Sequence, residues 1–190
     1  MFHVSRLSSF VLTLALACCV NVGTPTERQA KAQRLSHDLQ QLSPTVSATE
    51  ADRLATTAIE ESAKLSADFK PFIYPWMNNG LINTGLRKRG LCYQWRDDLF
   101  PHLFRLNLKT MELHLVASKR DTWMEHHGII VTAKGQRFED GLVIDPWRHG
   151  GRLWWGLRKD DKKHPWLPLP RDLTPMVLRP LLMPDLYPTR

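Results

Sequence analysis

Cysteine is scarce in this chain. Its 190 residues hold three, and two of them, Cys18 and Cys19, close an apolar stretch at the N-terminus. Cys92 is therefore the one cysteine in the body of the protein. A single thiol closes no internal disulfide, so a disulfide scaffold is excluded, and Cys92 is either an inert buried residue or a reactive one. Long apolar runs are also missing. Leu7 to Ala17, broken by Ser8, Ser9 and Thr13, is the longest candidate. It is shorter than the roughly 20 residues that a membrane-spanning helix needs. The chain is basic, with a net charge of +7 and a pI near 9.6. It has no arginine-rich tract and no zinc-finger spacing, which argues against nucleic acid as the partner. The charge suits anionic surfaces such as phospholipid headgroups or acidic glycans. Cys92, His126 and Asp145 could ligate zinc, but no close-spaced pair such as His-x-x-x-His accompanies them, so neither metal nor cofactor is expected.

The first segment, residues 1–19, reads as an export signal. His3 and Arg6 precede the apolar stretch, and Ala15-Leu16-Ala17 has the form of a signal-peptidase site. Leu14 to Cys18 also approaches a bacterial lipobox, with Ala15 where a leucine is usual. The protein is thus expected to be exported, either free in the periplasm or as an outer-membrane lipoprotein anchored at Cys18. Residues 20–70 carry helical patterns. Thr26 to Leu42 is one helix, broken by Ser43-Pro44, and Ser47-x-x-Glu50 has the form of a capping box opening a second. The apolar stripe of Leu54, Ala58 and Leu65, with Ile59 beside it, is thin, which suggests a stalk or an external helical extension. Residues 71–90 read as an aromatic loop containing Asn78-Asn79-Gly80, and Arg87-Lys88-Arg89 forms a basic cluster ahead of Cys92.

The main domain is expected over 71–163. Leu91, Trp95, Leu99, Leu103 and Leu106 fall at helical spacing, with Pro101 predicting a stop or kink. From Glu112 the period changes to two. Strands are expected over 112–118, 126–133, 141–144 and 152–157. A helix followed by antiparallel strands gives an α+β class: the helix carrying Cys92 packs on a small antiparallel sheet, with an N-terminal helical extension. Residues 164–190 hold seven prolines and read as an extended, surface-packed tail.

A cysteine nucleophile needs a raised thiolate fraction, an imidazole within reach and a group that orients the imidazole. Gly90 suits a tight entry to a helix that places Cys92 in its first turn, where unpaired N–H groups and the helix dipole favour a negative charge. His126 and His127 begin one strand, and Asp145 ends the next. Two neighbouring antiparallel strands bring such a start and end together. Strand parity groups His127 with Ile129 and Val131 and His126 with Ile130, which slightly favours His127 on the core face.

Gly90-Leu91-Cys92-Tyr93-Gln94-Trp95, Glu125-His126-His127-Gly128-Ile129-Ile130-Val131 and Leu142-Val143-Ile144-Asp145-Pro146-Trp147, in that order, resemble the transglutaminase-like branch of the papain-like cysteine fold. The resemblance spans about residues 74–160. It implies a Cys92–His126–Asp145 triad, with His127 as the other candidate base. It also implies thiol attack on an amide carbonyl, giving a thioester passed to water or to an amine. Substrates would be peptide, protein or peptidoglycan amides. No residue answers clearly to the group that stabilises the oxyanion; Asn79, Asn83, Tyr74 and Trp76 are the candidates. The competing expectation is a non-catalytic envelope protein that uses the same fold as a binding or scaffolding module, with Cys92 enclosed by leucines.

Overall fold

The computed structural model describes residues 20–72 and 75–187, without the side chains of residues 75 and 76. The export signal with Cys18, Tyr74 and the side chain of Trp76 lie outside the described residues. Among these, the chain is mixed α+β, with five α-helices and one five-stranded antiparallel sheet. No described helix is long and apolar enough to cross a membrane.

Helix α1 (Pro25–Gln40) begins at a closed capping box. Thr24 Oγ1 accepts from the Glu27 N–H, and the Glu27 carboxylate accepts from the Thr24 N–H. Helix α2 (Ala48–Phe69) begins differently. Ser47 accepts from the Glu50 N–H, but Glu50 does not turn back to Ser47. Its carboxylate accepts from the Lys109 and Thr110 N–H groups and from the Thr110 hydroxyl. The Ser-x-x-Glu pattern thus ties α2 to the segment entering the sheet.

These two helices are not peripheral. Leu35 and Leu39 of α1 and Leu54, Ala55, Ala58 and Ile59 of α2 belong to the same buried cluster as the sheet residues Ile129, Val131 and Ile144. The stripe on α2 looks thin because much of it is alanine. Ala51, Ala55 and Ala58 are wholly buried, and small side chains let the helices approach closely.

Within 71–90, where a loop is expected, helix α3 (Pro75–Asn83) forms. Asn78-Asn79-Gly80 reads locally as a turn. Tertiary bonds override that bias: Asn78 is buried, and its side-chain oxygen accepts from the Phe72 N–H and from Arg87. Helix α4 (Cys92–Phe104) follows and stays helical through Pro101. Leu99, Phe100 and Leu103 press its apolar face into the main cluster.

The strands are β1 (Met111–Ser118), β2 (His126–Ala133), β3 (Leu142–Asp145), β4 (Trp154–Leu157) and β5 (Leu167–Pro168). Their order is β4-β3-β2-β1-β5. One face, with Ile129, Val131 and Ile144, lies against the helices. The other, with Val116, Ile130 and Val143, is covered by Trp166 and flanked by Phe138 and Trp154. Trp166 comes from the proline-rich C-terminal segment. That segment pairs Leu167 and Pro168 with the edge of β1, then continues through 3-10 turns into a short helix, α5 (Arg179–Leu182).

Candidate active site

Cys92 is the first residue of α4. Gly90, two residues earlier, sits at φ +127°, a backbone geometry open to glycine and strained for other residues. Gln94 reaches back, and its side-chain oxygen accepts from the Gly90 and Leu91 N–H groups. The N–H groups of Gln94 and Trp95 bond the Leu91 carbonyl. Among the described residues this leaves the N–H groups of Cys92 and Tyr93 free, at the positive end of the helix. Cys92 is 9% exposed. Its sulfur lies 3.8 Å from the carbonyl oxygen of Glu125, the residue that precedes β2. Helix start and strand start therefore meet at one corner of the domain.

His126 opens β2 on the sheet face that carries Ile130, and Asp145 closes β3 on the same face. Ile129 pairs with Ile144, so Gly128 is the residue opposite Asp145, and His126 is its diagonal neighbour. Nε2 of His126 donates to Asp145 Oδ2 at 2.7 Å. Both side chains are buried. The remaining ring nitrogen, Nδ1, is buried without a hydrogen-bond partner among the described residues. With Nε2 engaged, Nδ1 is the nitrogen left for a further partner.

The electrostatics follow from this geometry. Burial by itself pushes the His126 pKa down. The charge of Asp145, the hydrogen bond to it and the nearby Cys92 sulfur outweigh burial and hold the imidazole at about 9. Burial likewise pushes the Asp145 carboxyl up. The His126 charge and hydrogen bond, together with Arg148, overcome that and bring it to about 2. Asp145 is well held. Its Oδ1 accepts from the N–H groups of Trp147 and Arg148, closing the turn at Asp145-Pro146, and its Oδ2 also accepts from Arg148 Nε at 2.9 Å. Arg148 lies 3.6 Å over the Trp154 ring and donates to Asp161, which also accepts from Trp166 Nε1.

Aromatic rings surround the imidazole. Centroids of Trp147, His164 and Trp166 lie 4.8, 5.0 and 5.3 Å from it. Gly128 makes room for the last of these: a Cβ there would come within 3.1 Å of the Trp166 ring. Indole faces also favour an imidazolium over a neutral ring.

His127 is placed differently. It shares the helix-facing parity of Ile129 and Val131, and there it meets Arg96 of α4 and the Glu125 carboxylate, not Asp145. Burial, the Arg96 charge and the His126 charge push its pKa down to about 3. The structure thus brings Cys92, His126 and Asp145 together and gives His127 other partners. The basic cluster ahead of Cys92 is also engaged elsewhere. Arg87 donates to the Phe69 and Lys70 carbonyls and to Asn78, and Arg89 pairs with Asp98. Of the oxyanion candidates, Asn83 is exposed, and Asn79 has a buried side-chain oxygen without a partner among the described residues; neither is bonded to the Cys92 corner. Sequence reasoning missed Arg96, Glu125, Arg148, Asp161 and Trp166. Only Arg148 carried a local signal, as the second residue after Asp145-Pro146. Among the described residues no cluster of three or more His, Cys, Asp or Glu side chains could hold a metal ion.

No family model, curated protein or solved structure matches the chain.

Proposed function

We propose that the protein is a cysteine-dependent amide hydrolase or acyltransferase with Cys92 as nucleophile, His126 as base and Asp145 as the orienting carboxylate. One observation carries the reading. The His126 imidazole is clasped by Asp145 through Nε2, while Nδ1 is buried and unpaired at the corner where a helix begins with Cys92. A histidine that only braced Asp145 would not need its other nitrogen left unbonded in a ring whose pKa the nearby Cys92 raises. The likeness of the three ordered motifs to the transglutaminase-like branch supports the same reading, as does a nucleophile helix packed on an antiparallel sheet.

In the proposed cycle the Cys92 proton rests on the His126 imidazole, held at about 9, and the thiolate attacks an amide carbonyl, forming the C–S bond. The oxyanion falls toward the free N–H groups of Cys92 and Tyr93, two donors fixed before the reaction starts. His126 returns the proton to the leaving nitrogen as the C–N bond breaks. Water or an amine then attacks the thioester, losing its proton to His126, and Cys92 is released. Asp145 keeps the ring oriented and stabilises the imidazolium throughout. The substrate class is peptide, protein or peptidoglycan amides, met outside the cytoplasm, with Cys18 as a lipid anchor in the lipoprotein form.

Labelling of the thiol by iodoacetamide near neutral pH tests this. Wild type is expected to label fast, and His126→Ala and Asp145→Ala about tenfold or more slowly. Incubation with a panel of peptide and muropeptide amides should yield an acylated Cys92 by mass spectrometry. Equal labelling in all three proteins would overturn the assignment.

A further inference from the structure

A second buried polar chain runs beside the first and takes no part in the proposed thiol chemistry. Arg96 stands four residues after Cys92, one helical turn along the same face of α4. It is almost wholly buried. Its Nε donates to Asp97 Oδ1 at 2.8 Å, its Nη2 lies 2.7 Å from the same oxygen, and its Nη1 donates to His127 Nδ1 at 2.6 Å. Accepting at Nδ1 leaves the His127 proton on Nε2, which lies 2.8 Å from Glu125 Oε1. The other Glu125 oxygen, Oε2, accepts from the Asp121 N–H at 3.0 Å. The Glu125 carbonyl is the group beside the Cys92 sulfur. One residue thus touches the thiol through its backbone, α4 through His127 and Arg96, and the 119–125 turn through its carboxylate.

That turn is strained. Lys119 and Asp121 hold φ values of 51° and 64° without being glycine. It presents Trp123, 94% exposed, and leads directly into His126. Burying an arginine gives little net stability even when it is paired, so an apolar contact would join α4 to β2 at lower energetic cost. What the polar chain adds is direction: each donor meets one acceptor in one geometry.

We infer that Glu125, His127 and Arg96 are positioning residues that lock the Cys92 end of α4 against the His126 end of β2 and so set the approach of thiol to imidazole. This rests on the thiol-nucleophile reading above. Neutral His127 is suited to the role, since it can accept from Arg96 and donate to Glu125 at once; an imidazolium could not.

The test is the rate of Cys92 alkylation by iodoacetamide across pH, in wild type, His126→Ala, His127→Leu, His127→Gln and Glu125→Gln, each checked by thermal melting. Misplacing the thiol should slow His127→Leu about tenfold or more at about pH 6, where reaction depends on the imidazole. Its rate should return to within about twofold of wild type at about pH 10, where a thiol ionises unaided. His127→Gln, which keeps an amide donor and acceptor but not the rigid ring that holds both in line, should fall between the two. Glu125→Gln should also be slowed at low pH, and it carries the test should His127→Leu not fold. Folded variants with the wild-type profile would overturn the inference. A wild type that titrates once, as an ordinary thiol, and is unchanged by His126→Ala would instead sink the nucleophile reading itself.

Discussion

Replacing Asp145 by asparagine removes the charge that opposes burial at His126 while keeping the side chain's shape. The imidazole is raised from 6.5 to about 9. At 1.36 kcal/mol per unit, that shift favours the protonated ring by about 3 kcal/mol, part of it due to Cys92. In Asp145→Asn, burial is opposed only by Cys92, so the ring's titration should fall by about two units or more, to below about 7. Histidine NMR against pH measures this directly. The linkage has a definite sign. A group whose pKa is raised on folding stabilises fully below its unfolded pKa and loses that contribution as pH rises to the folded value. Wild type should therefore lose up to about 3 kcal/mol between pH 6.5 and about 9. For a chain of this size that is about 6–12 °C in Tm. The Asn variant should melt at nearly the same temperature across that window. A His126 midpoint still near 9 in the variant, or an equal alkaline loss of Tm in both proteins, would refute the account of the site.

Other outcomes follow from the same geometry. Asp145 is held at about 2 from an ordinary 3.8, so its contribution should be intact above pH 3.8 and vanish as pH falls through about 2; acid unfolding monitored by circular dichroism should start at higher pH in Arg148→Met, which loses a charge partner of that carboxylate. Gly128→Ala should drive a methyl group against the Trp166 ring, lowering stability by about 1–3 kcal/mol in urea titrations and slowing Cys92 alkylation as the indole shifts off His126. Leu54→Ala should cost about 2–5 kcal/mol and lower one cooperative melting transition; a variant with an unchanged main transition would show that α2 is an appendage. Glu50→Ala, which strips the acceptor from three donors ahead of β1, should destabilise by about 1–3 kcal/mol in the same assay, with alkylation of Cys92 unchanged.

The strands were legible because short β-branched and apolar runs end at turn residues: β1 to β4 lie within about two residues of where those runs, the Lys134-Gly135 turn and the Asp-Pro stop put them. Two local signals misled. Asn78-Asn79-Gly80 has turn chemistry, yet it is helical, with Asn78 bonded by Phe72 ahead of the helix and Arg87 after it. The stripe on α2 was discounted because alanine carries little weight in a pattern, although it packs as tightly as leucine. The choice between adjacent histidines was not decidable by parity. Parity assumes one buried face, and here the helices cover one face and Trp166 the other. His127 does point to the helix side, as its parity with Ile129 suggests, and there it finds Arg96.

From residues alone came the α+β class, the lone thiol at a helix start, and a histidine and an aspartate on facing strand ends. These follow from local rules: a glycine entry, a period, a turn. The tertiary structure alone decided which histidine Asp145 holds, which nitrogen stays free, and what anchors the corner where Cys92 meets β2. Those depend on register and on Arg96, Glu125, Arg148 and Trp166, which only folding brings together. A buried charge is stabilised by whatever partner lies within about 3 Å, and sequence separation says nothing about that distance.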